Sequence, residues 1–242
     1  QILGDLADDP EFGHTNAGAF DITVACSGFT YGLNMAHDLM ASGQYRNIAV
    51  IGAEHLSQYV EMTTRGRGTA VIFGDGAGGA IVSRSDNHDH GILAQMMRSD
   101  GAKWGELYIP EKARDIPEQT HNDEMPLGLM RMNGRAIFKF AVGTFGDLIQ
   151  QTLDKADLSP ADVDHYICHQ SNVRILEACR ERFGIPQEKM PINIDRLGNT
   201  SAASVPILFD EQVKAGRIKP GQKVMFVAFG AGLTWTSSLW QL

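Results

Sequence analysis

Apolar residues at Phe29, Leu33, Ala36, Leu39 and Met40 recur with the period of a helix, and Gly43 follows them. The run before them, Phe20-Asp21-Ile22-Thr23-Val24-Ala25, is rich in β-branched and aromatic residues. This pattern predicts a strand over 18–25, a turn at Cys26 and a helix ending at Gly43. Upstream, 1–7 reads as the tail of a helix and 8–16 as a polar loop. Downstream, Asn47-Ile48-Ala49-Val50-Ile51-Gly52 is a continuous apolar run, as expected for a parallel strand buried on both faces. Further strands are predicted over 69–73 and through Ala80-Ile81-Val82. From about Ser83 to Pro126 polar residues scatter without a period, which predicts a long surface insertion of the kind that forms a lid. Alternation then resumes. A helix over 135–155 carries Phe138, Val142, Phe145, Ile149 and Leu153 on one face. A strand over 165–168, a helix over 172–183, a short strand over 191–194, a helix over 200–215, and strands over 224–229 and 234–239 complete the chain. The expected class is α/β, with helices covering mixed, mainly parallel sheets.

Two segments of this pattern superimpose. Cys26 opens a helix that ends seventeen positions on at Gly43, and Asn199 opens one that ends seventeen positions on at Gly216. Each helix leads into an apolar strand, and each unit carries Phe-Gly-x-Gly, as Phe73-Gly74-Asp75-Gly76 and Phe229-Gly230-Ala231-Gly232. The chain therefore reads as two related halves with Cys26 and Asn199 at equivalent turns. The expected division is 1–83 for the first half, 84–126 for the insertion and 127–242 for the second half. Parallel strands need crossover connections, and fewer elements precede Cys26 than precede Asn199, so the first half is expected to be incomplete at its N-terminus.

Composition narrows the function classes. A length of 242 residues supports one or two domains, and a net charge of -8 argues against a nucleic-acid binder. No apolar run is long enough to span a bilayer, and the N-terminus lacks a signal-peptide pattern. Three widely spaced cysteines do not form a disulfide framework, which fits a reducing, cytoplasmic compartment. His88-Asp89-His90 lacks the further ligands a metal site needs and reads as a solvated loop. Gly74-Asp75-Gly76-Ala77-Gly78-Gly79 matches a dinucleotide fingerprint in spacing only, because strand rather than helix follows it.

Three residues carry candidate chemistry. Cys26 stands where a helix begins, and unpaired N–H groups there favour a thiolate, so a lowered thiol pKa is expected. His169, in Ile167-Cys168-His169-Gln170-Ser171-Asn172, and Asn199 also stand at strand-to-helix turns. In open α/β sheets ligands bind beyond the carboxyl ends of the strands, where these residues should converge. A cysteine nucleophile with an imidazole and an amide suits acyl transfer through a thioester. Singly, each has a plainer reading: a buried structural thiol, a locally bonded histidine, and a helix N-cap.

Together with Ala25-Cys26-Ser27-Gly28-Phe29, the segments His169-Gln170-Ser171-Asn172, Gly198-Asn199-Thr200-Ser201-Ala202-Ala203-Ser204 and Phe229-Gly230-Ala231-Gly232-Leu233-Thr234-Trp235 resemble β-ketoacyl-[acyl-carrier-protein] synthase III. Arg67-Gly68-Thr69 and Met132-Asn133-Gly134 add to the resemblance, which runs essentially end to end. It implies a thiolase-like fold of two pseudo-symmetric halves in a homodimer, with the family's N-terminal part absent from this chain. It also implies a reaction. Cys26 would take an acyl group from a short acyl-CoA, with backbone N–H groups of Cys26 and Ala231 as the oxyanion hole. His169 and Asn199 would then support decarboxylation of malonyl-acyl carrier protein and condensation onto acyl-Cys26. Arg67, Gly134, Phe138, Ser171, Asn172 and Arg174 would contact CoA or its pantetheine arm, while Lys139, Arg174 and Arg182 would meet the acidic carrier protein. Arg135 stands where the family usually has asparagine, and Ala231 where it commonly has glycine. No metal or redox cofactor is implied. The alternatives are an acyltransferase without condensation, a catalytically incompetent scaffold and a cysteine hydrolase.

Overall fold

A computed structural model describes residues 17–87, 89–118 and 125–242. The expectations for 1–16, and for His88 of the histidine pair, lie outside the described residues. Residues 17–24 run without regular secondary structure into a short 3-10 turn, Ala25–Ser27. The strand expected over 18–25 does not form. Helix α1 (Gly28–Ala41) follows, buries Phe29, Leu33 and Ala36, and is closed by Gly43 with φ of 79°. Strand β1 (Asn47–Glu54), the short helix α2 (Arg67–Ala70), and strands β2 (Gly76–Ser83) and β3 (Gly91–Ser99) come next. The expected strand over 69–73 does not form: α2 takes Thr69 and Ala70, a turn follows, and Phe73 makes an isolated parallel bridge to Asn199.

Two-residue strands β4 (Leu107–Tyr108) and β5 (Arg131–Met132) precede the long helix α3 (Gly134–Ala156). Strand β6 (His165–Cys168), helix α4 (Val173–Arg182), the short helix α5 (Ile194–Leu197), helix α6 (Ser204–Lys214), and strands β7 (Lys223–Gly230) and β8 (Thr234–Gln241) complete the chain. The stretch 191–194, expected as strand, instead leads into α5. The stretch 84–126, expected as a surface insertion, contributes β3 to a sheet.

The sheets are not mainly parallel as expected. One sheet has the order β3-β8-β7-β6, and only its β6–β7 pair is parallel. β1 and β2 form a separate antiparallel pair, as do β4 and β5. The misleading signal was continuous apolarity. In β7 the side chains of Val224, Phe226 and Ala228 join one core, while Met225, Val227 and Phe229 join the other. A central strand covered on both faces reads as unbroken apolar sequence whatever the direction of its neighbours. β1 is different: Val50 and Gly52 face inward, but Ile51 is 53% exposed.

Four layers result. α3 and α4 pack on one face of the four-stranded sheet through Phe145, Leu148, Ile149, Leu153 and Leu176. α1 and α6 pack on the other through Phe29, Leu33, Val205 and Leu208, and carry the β1–β2 pair on their far side. The two halves are related as the repeat suggested, with one correction. Each buried helix follows a 3-10 turn that opens on a residue of positive φ, Ala25 at 46° and Ser201 at 48°. Aligning those residues sets Ala202, not Asn199, opposite Cys26. Asn199 lies three residues upstream of that position.

Candidate active site

The halves support each other's turns. At the end of β7, a methyl group added at Gly230 would lie 2.8 Å from the backbone N of Cys26 and 3.0 Å from that of Ser27. Near the end of β1, one added at Gly52 would lie 2.9 Å from the backbone of Ala202. Glycine permits both approaches. Thr234, at the start of β8, ties the first turn down by donating towards Ser27 Oγ at 3.0 Å and Val24 O at 3.3 Å.

Cys26, His169 and Asn199 meet around Ser201. Cys26 is buried, with its thiol near the Ser201 side chain. His169 follows β6, donates its backbone N–H to Val227 O at 2.8 Å, and is 1% exposed. Its ring lies near the Ser201 carbonyl, and Nδ1 stands 2.7 Å from Ser204 Oγ. The Phe229 ring packs edge-on at 5.6 Å between centroids. Asn199 bridges in parallel to Phe73, donating its N–H to Ile72 O at 2.8 Å and accepting from Gly74 N–H at 3.0 Å. Its side-chain Oδ1 accepts the Ser201 N–H at 2.8 Å. Of the two amide ends only the oxygen accepts, so this bond fixes the amide orientation and leaves Nδ2 as the remaining donor.

Burial decides the electrostatics. It pushes the Cys26 thiol up to about 11, with the nearby Glu54 carboxylate adding to the rise and the Ser201 side chain opposing it. The lowered thiol pKa expected from the helix N-terminus is not found, because desolvation of a buried anion outweighs the dipole. Burial also lowers His169 to about 3, so its imidazole is neutral at physiological pH. Glu54 ends β1, and burial raises its pKa although it accepts from Ala202 N–H at 3.2 Å and bonds the Ser201 side chain.

The remaining residues singled out in the sequence lie at or near the surface. Arg67 opens α2 and is exposed. Gly134, Phe138 and Lys139 stand exposed on the first turns of α3. Asn172 caps α4, its Oδ1 accepting from Arg174 N–H at 2.9 Å, and the Arg174 side chain is exposed. Ser171 is half-buried and its hydroxyl has no hydrogen-bond partner among the described residues. Arg182 is held by Asp147 at 2.8 Å, and Ala231 sits half-buried beside Gly230 in the β7–β8 turn. Among the described residues no three His, Cys, Asp or Glu side chains form a metal-ligand group, and no helix is long and apolar enough to cross a membrane.

Sequence reasoning missed Ser201, Ser204 and Glu54 as parts of this cluster. The two serines lay inside a segment that had been noted for Asn199. Glu54 left no local signal, since its partner Ala202 is 148 positions away.

Comparison with known proteins places this arrangement in a family. Residues 20–101 match the model described as 3-oxoacyl-[acyl-carrier-protein (ACP)] synthase III, and residues 153–242 match the model of its C-terminal part. The β-ketoacyl-[acyl-carrier-protein] synthase III of Caldanaerobacter subterraneus subsp. tengcongensis is 45% identical over 227 residues, covering 94% of this chain and 68% of the relative. That of Deinococcus deserti is 44% identical over 227 residues, covering 94% of this chain and 63% of the relative. The crystal structure of the Thermus thermophilus enzyme superimposes with a TM-score of 0.89 at 37% identity, covering 100% of this chain and 72% of that one. The chain thus spans about two thirds of the length of the curated relatives it matches. It belongs to the 3-oxoacyl-[acyl-carrier-protein] synthase III family, within which it keeps the two-halved thiolase-like architecture.

Proposed function

We propose that the protein catalyses decarboxylative Claisen condensation of a short acyl-CoA with malonyl-acyl carrier protein, through an acyl-Cys26 intermediate, at the start of fatty-acid or polyketide synthesis. The observation that carries this reading is the convergence of a buried thiol, a neutral imidazole and an oriented amide on one turn. In the first step the Cys26 thiolate attacks the acyl-CoA carbonyl and expels CoA. The N–H groups of Cys26 and Ala231 receive the developing oxyanion, a contribution typically of about 3 kcal/mol per donor. A thiol with a pKa near 11 is mostly protonated at neutral pH, so acylation draws on a small thiolate fraction of high intrinsic nucleophilicity.

In the second step His169 and Asn199 Nδ2 hydrogen-bond the malonyl thioester carbonyl as carbon dioxide leaves and charge moves onto its oxygen. A neutral imidazole serves here because it can donate one N–H without carrying a charge into a buried site. Ser204 suits this role. Its hydroxyl accepts the Gln170 N–H at 3.3 Å and retains its own proton to give to Nδ1, which sets the ring proton on Nε2. The enolate carbon then attacks acyl-Cys26, forming the carbon–carbon bond and regenerating the thiolate. Every step uses thiol, imidazole, amide and backbone groups.

The same proposal assigns Arg67, Gly134, Phe138, Ser171, Asn172 and Arg174 to CoA and pantetheine contacts, and Lys139, Arg174 and Arg182 to carrier-protein docking. It includes a homodimeric assembly and a cytoplasmic site of action, the latter supported by three cysteines that form no disulfide. The test is the intact mass of the protein after mixing with acetyl-CoA, beside Cys26→Ala. An acetyl adduct on the parent alone supports the nucleophile; its absence refutes the acyl-enzyme route. Carbon dioxide release from malonyl-acyl carrier protein separates condensation from simple acyl transfer. An acetyl adduct without that release would assign acyl transfer only.

A further inference from the structure

Among the described residues Glu54 is the one acidic side chain with a direct electrostatic effect on Cys26, yet the reaction proposed above gives it no work. Its place follows from the relation between the halves. The last pair of the β1–β2 ladder is Glu54 with Gly76, and the last pair of the β7–β8 ladder is Gly230 with Thr234. Glu54 therefore stands where the second half has Gly230. Gly230 reaches the Cys26 turn with bare backbone. Glu54 reaches the opposite turn with a carboxylate, accepting from Ala202 N–H at 3.2 Å and bonding the Ser201 side chain. That turn needs support, because Ser201 is held at φ of 48°, a conformation non-glycine residues seldom adopt. The Ser201 N–H in turn orients the Asn199 amide at 2.8 Å.

We infer that Glu54 is a positioning residue: it clamps the Ser201–Ala202 turn so that the Asn199 amide faces the substrate carbonyl, and in doing so places a negative charge beside Cys26. The inference rests on the proposed reaction for the role of Asn199, but the position of the clamp does not. The clamp and the charge have opposite consequences. The hydrogen bond to the turn favours the step that uses Asn199, whereas the charge disfavours the Cys26 thiolate. Among the described residues the side chains that bear on the Cys26 thiol are Glu54 from β1 and Ser201 from its turn, and Glu54 in turn bonds the Ser201–Ala202 turn. His169, whose ring lies at the same Ser201 turn, is neutral. Glutamine separates the two effects. Its side-chain oxygen still accepts from Ala202 N–H, and its NH2 group donates to Ser201 Oγ, but the charge is gone.

The test compares Glu54→Gln and Glu54→Ala with the parent in two assays. The first is the rate of Cys26 alkylation by iodoacetamide as a function of pH, followed by intact mass. Both variants should alkylate faster than the parent at pH 8, by about threefold or more, with the apparent thiol pKa moved down. The second is carbon dioxide release from malonyl-CoA. Glu54→Ala should lower kcat about tenfold with little change in KM, as expected for loss of a charge-assisted hydrogen bond, and Glu54→Gln should restore most of the rate. A residue that merely stabilised the fold would, on truncation, loosen the packing that holds the Cys26 thiol up, so Glu54→Ala alone would alkylate faster while Glu54→Gln matched the parent in both assays. Unchanged alkylation in both variants overturns the inference, as does equal loss of decarboxylation in both. If the parent releases no carbon dioxide from malonyl-CoA, the proposed reaction fails, and the alkylation profile alone decides whether Glu54 bears on Cys26.

Discussion

Gly230→Ala tests the idea that the nucleophile's turn is held by backbone contact across the two halves. The residue ends β7 at a φ that alanine can adopt, so the substitution carries no backbone strain. Space is the issue. The new methyl would lie 2.8 Å from Cys26 N, 3.0 Å from Ser27 N and 3.1 Å from Val24 O. All three are backbone atoms, and none can swing aside as a side-chain end can. Restoring ordinary contact near 3.5 Å requires the Cys26 turn or the end of β7 to retreat by roughly half an ångström, an overpacking typically worth about 1–3 kcal/mol. The displaced atoms include the Cys26 N–H of the proposed oxyanion hole, so acylation should slow by about tenfold or more. Gly143→Ala is the internal control. Gly143 is exposed in the middle of α3 and an added methyl meets nothing within 4 Å. It should stabilise by about 0.5–1 kcal/mol, the helix preference of alanine over glycine. Urea unfolding of both variants, with acetyl-CoA labelling of Cys26 by mass spectrometry, reads both effects. Gly230→Ala unfolding at the parent's urea midpoint and acetylating at the parent's rate would refute the close-packed turn.

Other consequences are open to direct measurement. His169 has a folded pKa lowered from 6.5 to about 3, so its burial contributes stability fully above the unfolded value. That contribution should fall as pH drops from about 6.5 towards 3, seen as a declining urea midpoint that His169→Gln flattens. For the same reason no acid limb near pH 6–7 in malonyl decarboxylation should trace to this residue. Cys26 alkylation by iodoacetamide should climb through pH 8 to 10 without a plateau, in keeping with a thiol pushed up to about 11; a plateau below pH 8 would contradict that burial effect. Ser204→Ala removes the hydroxyl 2.7 Å from Nδ1 and should lower decarboxylation by about tenfold, while acetylation of Cys26 holds near the parent rate. Equal loss in both assays would place Ser204 in general packing instead.

The repeat of turn, buried helix and strand could be read from the chain because it is local: α1, α3, β6 and β7 each announce themselves by period, apolarity and a closing glycine or cap. Cys26 and His169 could be singled out for the same reason, as polar residues at the ends of apolar runs, and Asn199 by its place in the repeat. Strand direction could not. The run 224–229 is apolar because helices cover both faces of β7, and that burial is indifferent to whether β8 runs with it or against it. Strand β3 was hidden because it is an edge strand whose residues are partly exposed, so polar positions interrupt its pattern. The electrostatics depended wholly on tertiary structure. A helix N-terminus lowers a thiol pKa when water can still reach the anion, but packing of Gly230 and the Ser201 turn around Cys26 reverses the sign. Glu54 shows the same limit at its sharpest. Its meeting with Ala202 is written only in the way two halves fold against each other, and no window of sequence contains both residues.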